Sequence, residues 1–210
     1  PERKGNFIMN LPSTSHNENK CTKIGFIVRG ETDAVIIETL AQKILSERYP
    51  EATVYFATVS LYSPLHERNM LPTIDLFGRK GYKHIIVVFD AEPMNLHETQ
   101  AFKHYFEFRL TTKGLASYVS LVPVIPVIEM WLFAAPHAIK SVTGVEIHPS
   151  DLDTFLSLKK VFQRLLLKNG VNPNDETVLR SIANQLNLEE VRKKVSSFCE
   201  FEQALERAIQ

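Results

Sequence analysis

The residues of this chain best suited to chemistry are carboxylates that stand just after short apolar runs. Lys23-Ile-Gly-Phe-Ile-Val28 is followed by Arg29-Gly30-Glu31-Thr32-Asp33, and His84-Ile-Ile-Val-Val-Phe89 by Asp90-Ala91-Glu92. The run ending at Ile125 is followed by Glu129, ahead of Met130 and Trp131. In Asp90-x-Glu92 the acids are two apart, and residues two apart on an extended strand end point the same way. Carboxylates gathered on one side make an oxygen-rich pocket that suits Mg²⁺ or Mn²⁺. Without a cation such a cluster repels itself and raises its own pKa values. A divalent ion offsets that repulsion, activates water and stabilises charge on a phosphodiester, alone or with a second ion about 4 Å away.

Each element also has a plainer structural meaning. Gly30 permits a tight turn, and Glu31 and Asp33 favour a helix start through the macrodipole. Asp90 and Glu92 can cap the next helix, and Glu129 can be a buried acid paired with Arg29 or a lysine. Their joint placement after successive strands favours a site, because ligands of open parallel sheets bind beyond the carboxyl ends of the strands.

The elements that must position these acids follow from periodicity. Residues 23–28 form an apolar run bounded by Gly30, which reads as a buried strand. Ala34, Ile37, Leu40, Ala41, Ile44 and Leu45 recur at helical spacing up to Tyr49-Pro50. Thr53-Val-Tyr-Phe-Ala57 is a second, β-branched and aromatic strand. A helix around Ile74, Leu76 and Phe77 closes near Gly81. The run 84–89 is apolar after His84, as in a strand covered on both faces. A helix over about 97–112 stops at Gly114, and Tyr118 to Ile125 form a fourth strand ahead of Pro126. This alternation predicts an α/β, Rossmann-like, mainly parallel sheet flanked by helices.

From Trp131 the texture is helical. Ser150 caps a helix with Leu152, Phe155, Leu156, Leu158, Val161, Phe162 and Leu165 on its apolar side, ending at Asn169-Gly170. Two more helices span 177–186 and 189–209, the last broken near 196–199. The chain thus divides into a polar, flexible arm (1–20), an α/β domain (21–136) and a C-terminal helical extension packed on it (137–210).

Composition sets the outer bounds. In 210 residues, 24 Lys and Arg balance 24 Asp and Glu, so any attraction to nucleic acid comes from a local patch. Lys159-Lys160, Arg164 and Lys168 make one basic helical face and Arg192, Lys193 and Lys194 another, although a solvated face is the commoner explanation. Cys21 and Cys199 form no CxxC pair or zinc cluster and fit a reducing cytoplasm. No apolar run reaches the roughly 18 residues needed to cross a bilayer. No signal-peptide layout opens the chain, and a start at Pro1 reads as a fragment or a processed protein. The histidines are scattered, and neither a G-x-S-x-G elbow nor a Walker A sequence occurs.

These motifs resemble the Toprim fold, and within it the Toprim domains of OLD-family nucleases and related small OLD-like defence proteins. The first motif of that family, an apolar strand ending in Val-Glu-Gly with a second acid at the helix start, reads here Phe26-Ile27-Val28-Arg29-Gly30-Glu31-Thr32-Asp33. The second, a strand ending in Asp-x-Asp, reads Val87-Val88-Phe89-Asp90-Ala91-Glu92-Pro93. Ile125-Pro126-Val127-Ile128-Glu129-Met130-Trp131-Leu132 resembles the Pro…Glu-x-Trp-Leu segment of the small relatives. The likeness covers about residues 22–135.

The resemblance implies a metal-dependent nuclease, plausible as an antiviral defence effector in the cytoplasm, hydrolysing phosphodiesters of DNA or RNA. Asp33, Asp90, Glu92 and Glu129 would ligate Mg²⁺ or Mn²⁺, with Arg29, Glu31 and Asp90 as catalytic residues. A separate ATPase partner and homo-oligomerisation also belong to this expectation; a membrane does not. The signature strand-end glutamate is replaced by Arg29, which cannot serve as a base. Glu31 is the carboxylate left to replace it. Arg29 either binds the scissile phosphate or neutralises the pocket. The second alternative makes the chain a catalytically degenerate Toprim domain that binds nucleic acid or a partner protein.

Overall fold

The computed structural model describes residues 21–61, 66–148 and 157–210. Strands and helices alternate as β1 (Thr22–Val28), α1 (Glu31–Arg48), β2 (Val54–Ser60), α2 (Glu67–Arg79), β3 (His84–Asp90), α3 (Leu96–Thr112) and β4 (Val119–Val124). The four strands form one parallel sheet in the order β2-β1-β3-β4. Then come α4 (Glu129–Phe133), α5 (Pro136–Thr143), α6 (Leu158–Lys168), α7 (Glu176–Gln185), α8 (Leu188–Lys194) and α9 (Ser196–Ile209).

Strand side chains alternate between two buried layers. Ile24, Phe26, Val28, Ile86, Val88, Val122 and Val124 face a core shared with α1 and with the helices that follow β4. Ile27, Val59, Ile85, Val87, Phe89, Val119 and Leu121 face the smaller core under α2 and α3. Gly25 lies on this second face, where an added Cβ would stand 3.1 Å from the Phe77 ring, so the missing side chain lets α2 approach the sheet. With helices on both faces, the strands are apolar in succession rather than in alternation.

The C-terminal helices share the first core instead of forming one of their own. Trp131 is fully buried against Phe198 and Phe201, and its indole N–H donates to Ser197 Oγ at 3.0 Å. β2 runs three residues past the predicted strand, through Thr58-Val59-Ser60, because β1 continues to offer it partners up to Val28. The predicted helix over 189–209 is two helices, hinged at Val195 in an extended conformation. Ser150 and the apolar positions Leu152, Phe155 and Leu156 lie outside the described residues. Among the described residues no helix is long and apolar enough to cross a membrane.

The topology creates one crevice. From β1 the chain leaves toward β2, and from β3 it leaves toward β4, in the opposite direction across the sheet. Loops that diverge in this way open a gap between the carboxyl ends of β1 and β3. The acids singled out above arise at and beside this gap.

Candidate active site at the strand ends

Asp90 is the last residue of β3 and shares the orientation of Ile86 and Val88, toward α1 and the C-terminal helices. Its Oδ1 accepts a hydrogen bond from the Ile128 backbone N–H at 3.0 Å, which ties the end of β3 to the segment leaving β4. Glu129 is the next residue, at the first position of α4, and is buried. Asp33 lies in the first turn of α1, also buried. Acids from three connections therefore meet on one side of the sheet.

The cation among them is Lys159, from the first turn of α6. Its Nζ is 3.1 Å from Asp33 Oδ1 and 3.5 Å from Glu129 Oε1. Arg29 stands at the rim, half exposed, with Nη1 3.8 Å from Asp90 Oδ2. At that separation it contributes charge without a hydrogen bond.

The electrostatics follow from burial. Loss of solvent pushes Asp90 up to about 6, and the Asp33 charge adds to the shift; Lys159, the Ile128 amide and Arg29 pull the other way. Loss of solvent pushes Glu129 further, to about 7, opposed by Lys159 and reinforced by Asp90 and Asp33. For Lys159 burial disfavours the ammonium, yet the combined pull of Glu129, Asp33 and Asp90 prevails and raises its pKa. One ammonium thus serves several acids and leaves two of them hard to ionise.

Two oxygens show how incompletely it serves them. Among the described residues, the buried oxygens Asp90 Oδ2 and Glu129 Oε2 have no hydrogen-bond partner. Such groups are uncommon and mark a position that wants a donor or a cation. The donor set is oxygen only, which fits a hard divalent ion. Among the described residues, however, no group of three or more His, Cys, Asp or Glu side chains is already arranged to hold a metal. Lys159 lies where their charges converge.

The other expected carboxylates, Glu92 and Glu31, are not buried as Asp33, Asp90 and Glu129 are. Glu92 accepts a hydrogen bond from Ser157 Oγ at 2.9 Å and is not among the charges that act on Asp90, Glu129 or Lys159. The same-side argument holds only within a strand, and β3 ends at Asp90; the chain then turns, with the Glu92 N–H donating to Pro126 O. Glu31 is exposed at the first position of α1.

Lys159 is the member of this charge cluster that motif reading does not single out. Its signal was the helical wheel: it shares a face with Phe162 and Leu166, three and seven positions on, both of which are buried. A lysine on the apolar face of an amphipathic helix has to find an acid.

No protein-family model matches the chain, and no curated protein matches it in sequence.

Proposed function

We propose that the pocket between β1 and β3 is the active site of a Toprim-type, divalent-metal-dependent nuclease. The observation that carries this reading is the pair of buried oxygens, Asp90 Oδ2 and Glu129 Oε2, that have no hydrogen-bond partner among the described residues. The order of the three motifs along the chain supports it. Asp33, Asp90 and Glu129 would hold Mg²⁺ or Mn²⁺, which supplies Lewis-acid polarisation of a phosphoryl oxygen and an activated water. Lys159 keeps the pocket near neutrality and is placed to donate to a non-bridging phosphate oxygen as charge builds there. Arg29, half exposed at the rim, presents a fork that receives phosphate in two-point contact. Asp90 and Glu129 hold protons more readily than ordinary carboxylates, so cation binding weakens as pH falls through about 7 and then about 6.

A second reading has its own observation: Lys159 already bridges Asp33 and Glu129, as a permanent substitute for a metal would. On that reading the domain is catalytically degenerate and binds a partner. Incubation of plasmid DNA and of a structured RNA with Mn²⁺, beside the Asp90→Ala protein, separates the two. Nuclease function predicts cleavage of at least one substrate, dependent on Mn²⁺ and lost in the variant. Intact substrates in all arms, with no heat of Mn²⁺ binding by calorimetry, would establish the degenerate reading.

A further inference from the structure

We infer that the outer face of α6 is a track for a nucleic-acid backbone, leading away from the pocket. Lys160, Arg164 and Lys168 stand at intervals of four along this helix, and all three are exposed. Four residues advance about 6 Å along a helix and about 40° around it, so the three cations form one slowly winding stripe about 12 Å long. Its first member directly follows Lys159, whose ammonium lies in the acidic pocket.

The charges of the stripe are unspent as well as clustered. Among the described residues none of the three forms an ion pair or a side-chain hydrogen bond. Arg48, Arg109, Arg180 and Arg192, on other helices, each have an acidic partner. The chain as a whole carries no net charge, so any pull on a polyanion comes from local clusters such as these three cations. Leu167 lies within the same face and is 62% exposed, which offers apolar contact between the charges. A repeating anion matches this surface better than a single phosphate does, since each cation can neutralise a different phosphate and release its counterion.

The stripe deepens the nuclease reading by placing the strand that flanks the scissile bond, but it is measurable without turnover. Anisotropy titrations with fluorescein-labelled single-stranded DNA and RNA, in EDTA and over a range of salt, compare the wild type with K160Q/R164Q/K168Q. R68Q/K83Q/K113Q is the control: it removes the same charge from three exposed residues elsewhere. The inference predicts that the α6 variant weakens binding at least about tenfold at low salt and reduces the slope of log affinity against log salt by about 2 to 3, whereas the control changes neither by more than about a third of that. The DNA and RNA arms show which backbone is preferred. Equal effects of both variants, no binding by the wild type, or binding only to anionic phospholipid vesicles would overturn it. Mn²⁺ calorimetry on the α6 variant keeps the two proposals apart: retained metal binding with lost nucleic-acid affinity faults neither, and absent metal binding in a wild type that still binds through α6 faults the nuclease reading alone.

Discussion

Replacing Lys159 with methionine should destabilise the protein by about 3–5 kcal/mol at about pH 8, the usual cost of leaving a buried charge without its partner. Methionine keeps the length and most of the volume of the side chain, so the change tests charge rather than packing. Lys159 pairs with both Asp33 and Glu129, and its attraction lowers the pKa of both Asp90 and Glu129. Once it is gone, both groups move further up and their ionised forms become more costly. The cost should shrink as pH falls, because protonated acids no longer need the ammonium. Urea denaturation of wild type and Lys159→Met at about pH 8 and about pH 5 reads the difference directly. A penalty equal at both pH values would mean that Lys159 supports the fold through its stem alone.

Glu129→Gln should do the opposite and stabilise the folded state. The carboxyl is pushed from an ordinary 4.5 to about 7 in the folded chain. A raised acid contributes most below its unfolded pKa, and that contribution is lost as pH rises through the folded value. Above pH 7 Glu129 is therefore ionised at a cost of up to about 3 kcal/mol, at 1.36 kcal/mol per pKa unit. Glutamine removes that cost and resembles the protonated side chain in shape. Thermal melts at about pH 8 should show the variant more stable by about 2–3 kcal/mol, and melts at about pH 4 should show little difference. Equal stability at both ends would mean that Glu129 is no harder to ionise folded than unfolded. A stabilising substitution in a buried acidic group is the expected mark of residues kept for function at the expense of the fold.

The two expectations have a common origin in how the chain lays out its charges. The sheet was legible because the apolar runs at 23–28 and 84–89 are short, continuous and bounded by turn residues, and the structure places β1 and β3 there. Parallel pairing and helices on both faces then follow from the alternation of elements. Asp33, Asp90 and Glu129 were legible because each stands at a strand end or in the first turn of the helix beyond, where topology directs side chains to the crevice.

Glu92 is less legible, because the two-residue period holds only within a strand and β3 ends at Asp90. Lys159 escaped notice for a different reason. It is 126 residues from Asp33, and its neighbours Lys160, Arg164 and Lys168 drew it into a single basic patch. The helical wheel divides that patch in two, one lysine turned inward to the acids and three cations turned out to solvent. Chain separation hides such a contact from motif reading; only the burial of Phe162 and Leu166 on the same face betrays it.

On the proposed function, Asp33, Asp90 and Glu129 converge on a position that a divalent cation can occupy. A crystal of the protein soaked in Mn²⁺, with data collected at the manganese absorption edge, tests it most directly. An anomalous peak bounded by the three carboxylates is expected, with the Lys159 ammonium drawn away from them. A pocket without such a peak, in which Lys159 still bridges Asp33 and Glu129, would contradict it.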